Sequence, residues 1–61
     1  MTPERERWAE ALAVDRQYGK QAPTHVAERI AALALENDED GVNRWMQIAA
    51  RLDRLRLGTM Q

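Results

Sequence analysis

An all-α fold is what this 61-residue chain predicts, and three features predict it. Alanine fills ten positions and leucine six, against five valines and isoleucines together. Alanine and leucine lose little on entering a helix, whereas β-branched side chains lose rotamer freedom there. No stretch alternates apolar and polar residues as a half-buried strand would. Apolar residues recur instead every three or four positions, between Pro, Gly and Asn punctuation. The reading is a three-helix mini-bundle with helices at about 3–18, 23–36 and 39–57. The second and third form an antiparallel hairpin, because too few residues join them for anything else, and the first packs across it. Residues 1–58 make one helical domain, with 59–61 as a frayed C-terminus.

The first helix starts at Thr2 as N-cap, with Pro3 at the first helical position, where its missing N–H costs nothing. Glu4 and Glu6 then sit where the helix dipole favours acids. Gly19, after Tyr18, supplies the stop. The apolar side reads Trp8, Ala11, Leu12 and Tyr18, with Asp15 intruding; Tyr18 or Arg29 would be its polar partner.

The second helix starts at Pro23 or Thr24 and carries Val26, Ile30 and Leu33 at i, i+4 and i+7, widened by Ala27 and Ala34. Asn37 suits the position just past its end, and Asp38 can then cap the third helix, with Glu39 and Asp40 in the first turn. Val42, Trp45, Ile48, Ala49, Leu52 and Leu55 make the cleanest stripe in the chain. Gly41 costs up to ~1 kcal/mol against alanine so early in a helix, which points to close packing. Gly58 ends the helix. The expected core joins Trp8 and Trp45 to Leu12, Ile30, Leu33, Ile48 and Leu52.

Composition removes much chemistry. Without cysteine there are no disulfides, thiolate metal sites or thiol nucleophiles, and no serine is present either. A single histidine and three scattered glycines leave no polyhistidine metal site and no phosphate loop. His25, with Glu28 and Arg29 one turn on, reads as a surface residue. Glu36, Asp38, Glu39 and Asp40 lack the alternation of a calcium loop and read as acids placed at a helix N-terminus. No catalytic, cofactor-binding or metal-binding residue emerges, so the expectation is a non-enzyme without cofactor or metal. No apolar run approaches the ~20 residues of a membrane span. The opening residues lack a signal peptide's apolar stretch, which points to the cytoplasm.

Net charge is −1, but it is unevenly spread. Residues 21–40 carry −4, and residues 41–61 carry +3. Arg44, Gln47, Arg51 and Arg54 fall at i, i+3, i+7 and i+10 of the third helix, a basic stripe opposite Trp45 and Leu52. The stripe suggests a small DNA-binding regulator as the alternative function, since arginine and glutamine pair with base edges. A recognition helix reads bases with its N-terminal residues, however, and here those are Asp38, Glu39 and Asp40. Few arginines also means little counterion release. The stripe is therefore expected to be solvated or paired with acids, with no nucleic-acid partner.

The segments "TPERERWAEALAV", "AP" before "HVAERIAALAL", and "GVNRWMQIAARLDRL" together resemble a family of short bacterial helical proteins of unknown function. The resemblance covers residues 1 to about 55. It implies a self-contained helical protein and brings no activity, cofactor or site residue with it.

Burying apolar surface contributes on the order of 90 kcal/mol for a chain this short, and ordering it costs about the same. No surplus is visible for a lone chain. Val14, Leu35, Met46 and Leu57 lie beside the core stripes and form the candidate partner surface. The expected function is a protein–protein interaction or assembly module, and the expected partner is a second copy of the chain.

Overall fold

Short polar side chains and one proline fix where the helices begin. The computed structural model describes residues 2–59, which are helical apart from Thr2 and Glu36–Asp38, with no strand among them. The first helix, α1, spans Pro3–Tyr18. Thr2 is extended at its head, and its hydroxyl accepts the Arg5 N–H at 3.2 Å. Gly19 follows Tyr18 at φ 52, a backbone region that glycine enters without strain.

No loop separates the first two helices. Gly19–Gln21 form a 3₁₀ turn that leads directly into α2, Ala22–Leu35. The elements therefore run end to end from Pro3 to Leu35 with no residue between them, and α3 spans Glu39–Thr59. By continuity these are two helical stretches, the first bent at Gly19, rather than three separate ones. The 3₁₀ turn keeps the bend hydrogen-bonded, with the Ala22 N–H donating to the Gly19 carbonyl. Helix α2 thus begins just ahead of Pro23, which loses nothing in a first turn where N–H groups lack helical partners.

The junction of α2 and α3 is tighter still. Asn37 sits at φ 60. Its N–H donates to the Ala34 carbonyl at 3.1 Å, and the Asp38 N–H donates to that of Leu33 at 3.0 Å. This pair of bonds is the Schellman arrangement that closes a helix C-terminus. Asp38 also opens the next helix, since its Oδ1 accepts the Gly41 N–H at 2.9 Å and its carbonyl accepts that of Val42. One residue completes one helix and caps another.

Gly41 is the glycine this junction requires. A Cβ there would lie 2.6 Å from Asp38 Oδ2 and 3.1 Å from Leu33 Cδ2. Gly58, by contrast, does not stop α3, which runs through it to Thr59. Glycine permits a left-handed stop without compelling one. Met60 and Gln61, the rest of the expected frayed tail, lie outside the described residues.

The buried cluster is Ala11 and Val14 of α1, Ala22 and Val26 of α2, and Ile48 and Leu52 of α3. Tyr18, Ile30, Trp45, Ala49 and Leu55 pack against it, and Leu33 is buried at the tight turn. Two expectations fail on α1. Val14, read as partner surface, is 9% exposed and belongs to the core, while Leu12, read as core, is 45% exposed. Trp8, Ala9, Ala11, Leu12, Ala13 and Val14 distribute apolar groups right around this helix, so its own pattern does not choose a face. Packing chooses it instead. Ala11 and Ala22 are fully enclosed, and side chains this short let helices approach closely. The buried side then follows Ala11, Val14 and Tyr18.

Helix propensity alone says Gly41→Ala should stabilise by up to ~1 kcal/mol. Here it should destabilise, because the new methyl displaces the Asp38 carboxylate from its cap. In an Asp38→Ala background, already weakened by ~1 kcal/mol, the same change should become neutral or stabilising. Thermal melts of the four proteins check this, and equal effects in both backgrounds would show that the cap is not what the glycine protects.

Candidate interaction surface

Arginine chemistry joins α1 to α3. Arg44 donates from Nε and Nη2 to Glu10 Oε2 at 3.0 and 2.6 Å, and Arg7 reaches Glu10 Oε1 at 2.5 Å. Arg51 lies over the Trp8 ring, 5.7 Å from its centroid, and donates to the Gln47 carbonyl at 3.1 Å. Arg54 lines a shallow cleft with Glu4, Trp8, Ala50 and Arg51. The stripe Arg44, Gln47, Arg51, Arg54 therefore does not stand on a free face opposite the core. Two of its arginines are engaged by α1, because a helix laid across α3 reaches further round it than the apolar stripe suggests. Long guanidinium side chains suit such an edge, covering apolar surface with their stems.

Asp15 also finds a cation, though neither expected partner. It lies 3.6 Å from Arg56, whose guanidinium also donates to the Gly19 carbonyl. Arg56 thus fastens the bend between α1 and α2 to the far end of α3.

His25 is half-buried rather than a surface residue. It stacks on Tyr18 at 3.9 Å with rings 13° apart, and meets Trp45 edge-on at 5.7 Å and 75°. Arg29 lies over the Trp45 ring, 5.6 Å from its centroid. The stack takes one ring from each helix. A signal existed in the sequence, because His25 and Arg29 are one turn apart along the edge of the Val26–Ile30 stripe. Trp8 and Trp45 are both only partly buried; Trp45 packs against the core, whereas Trp8, expected in that core, sits at the α1/α3 edge under Arg51.

The acidic turn brings no metal site together. Among the described residues no group of three His, Asp or Glu side chains is placed to hold an ion. Asp38 is committed to its cap.

On the side of the hairpin away from Arg44 and Arg51, hence away from α1, lies an apolar groove. Pro23, Val26, Ala27 and Ile30 of α2 line it with Ala49, Leu52 and Asp53 of α3. A separate depression at the turn is bounded by Ala34, Asn37, Asp38, Glu39, Val42 and Asn43. Helical spacing sets Met46 between Val42 and Ala49 on this side, and Leu57 one turn beyond Asp53. Met46 is 56% exposed and Leu57 64%; neither lines the groove, and helical spacing sets both along its α3 edge. Leu35 is 85% exposed but lies off it, on the outer edge of α2. No helix of the described residues is long and apolar enough to cross a membrane.

Partial burial pushes the Glu10 carboxyl up, but the hydrogen bonds and charges of Arg44 and Arg7 outweigh it and hold it below its ordinary value of 4.5. A carboxylate depressed on folding stabilises above its unfolded pKa of about 4.3, and that stability is lost as pH falls through the folded value. Glu10→Gln should therefore cost ~0.5–1 kcal/mol near neutral pH, a few degrees in Tm, and progressively less as pH is lowered below about 4. Melting curves across that range check it, and a gap that persists in acid would rule out the ion pairs as its cause.

No curated protein and no solved structure matches the chain. A family model does, over residues 3–58, nearly the whole of both helical stretches. The chain belongs to that family, a family of unknown function designated DUF6961.

Proposed function

We propose that the chain works as a non-catalytic protein–protein interaction or assembly module, a cytoplasmic three-helix mini-bundle whose partner is a second copy of itself. The observation that carries this reading is surface in excess of what the fold can cover. The chain exposes 4733 Å². A compact protein of this mass exposes about 4,000 Å². Ile48 and Leu52 are the largest side chains fully enclosed, whereas Leu35, Met46 and Leu57 project into solvent. The molecule measures 37 × 28 × 17 Å, so its thin direction holds only two layers of helix. A third layer supplied by another molecule would bury the exposed groove.

The polar side chains favour the same reading over an enzyme. Glu10, Arg44, Asp15 and Arg56 are spent on fastening helices to one another, and Asp38 on capping. Burying about 1,000 Å² in total, the lower bound of a specific interface, would take from each copy roughly a tenth of its surface.

Sedimentation equilibrium at tens of micromolar tests the proposal, with a 14 kDa species (about twice the chain mass) as the expected outcome. The wild-type melting temperature should rise with concentration. Met46→Glu should lower it and remove that dependence. A single folded species of 7.0 kDa at every concentration would overturn the homodimer.

A further inference from the structure

We infer that the uncovered α2/α3 face receives the same face of a second copy in antiparallel orientation, the acidic turn of one hairpin lying over the open end of the other. The inference rests on the homodimeric reading and adds to it the surface and its orientation. The groove supplies the apolar floor, with Ile30, Ala27 and Ala49 midway along it and Met46 at its border.

Charge selects the orientation. Two like faces can meet about a two-fold axis lying in the interface in two ways. An axis along the helices sets turn against turn, and an axis across them sets turn against open end. The turn carries Glu36, Asp38, Glu39 and Asp40 within five residues. The open end carries Lys20 at the bend and Arg56 near the end of α3, offset by Asp15 and Asp53, while Arg54 lies on the α1 side. Turn against turn would bring eight carboxylates together, whereas turn against open end keeps the two acidic clusters at opposite ends of the interface. Repulsion between like charges brought together at an interface costs several kcal/mol, enough to decide between two arrangements with the same apolar contact.

The test uses single cysteines, which are clean reporters because the chain has none of its own. A disulfide needs Cα atoms within about 7 Å, so only residues near the axis join to their own counterpart. Under mild oxidation Met46→Cys, on the border of the groove and at the axis, should form a covalent dimer with itself. Leu57→Cys should not, but Asp53→Cys mixed with Glu39→Cys should give a heterodimer, since with Met46 at the axis Asp53 would lie over Glu39 of the partner subunit. Self-linking of Leu57→Cys would overturn the orientation. Linking through Leu12→Cys on α1, without linking through Met46→Cys, would overturn the surface. In both cases a dimer by sedimentation of the wild type would leave the homodimeric reading standing. A wild-type monomer would remove both. Circular dichroism of each reduced variant separates failure to fold from failure to link.

Discussion

Everything in this molecule depends on how abruptly α2 turns into α3. Three residues carry out the reversal, and each is fixed by a backbone demand. Glu36 ends one helix, Asn37 takes the positive φ that reverses the chain, and Asp38 starts the next. Because the connection is so short, the hairpin has almost no freedom in register. Leu33 must meet Gly41, and Ile30 must come beside Ala49 and Leu52. The position at which α1 can dock, and the groove left on the opposite side, both follow from that register.

With few large apolar side chains, cohesion falls to groups that bridge helices. Tyr18, His25 and Trp45 take one ring from each helix. Arg44 and Arg56 each tie α3 back to α1. Exposed ion pairs contribute little individually. Their value here lies in geometry, because each fixes one point of the crossing and together they hold α1 at one angle across α3. Two further arginines work at the edges of the seams, where the guanidinium groups of Arg29 and Arg51 lie over the Trp45 and Trp8 rings.

What the sequence made legible was local. Thr2, Gly19, Asn37 and Asp38 announce their roles because each role is played within four residues of the side chain responsible. The stripe of α3 was equally plain, since its polar and apolar residues segregate cleanly. The face of α1 was not, because apolar residues surround it and only the small size of Ala11 at the crossing settles which side goes in. The same gap explains Arg44 and Arg51. Spacing placed them on one stripe, but whether that stripe meets solvent or another helix depends on the crossing, which no local pattern encodes. His25 was misread for a related reason, as its partners come from the other two helices.

The two ways in which these helices are joined also impose an order on folding. Closing the hairpin brings together residues separated by little more than its own turn, so the entropy to be overcome is small. Docking α1 instead unites residues far apart in the chain, Glu10 and Arg44 being 34 positions distant. Contacts of short separation form early and those of long separation late. The hairpin is therefore the kinetic template, and α1 closes over it last. Reversed, the same sequence makes the hinge at Gly19–Gln21 the first place to open, exposing the Ile48–Leu52 ridge while α2 and α3 stay paired.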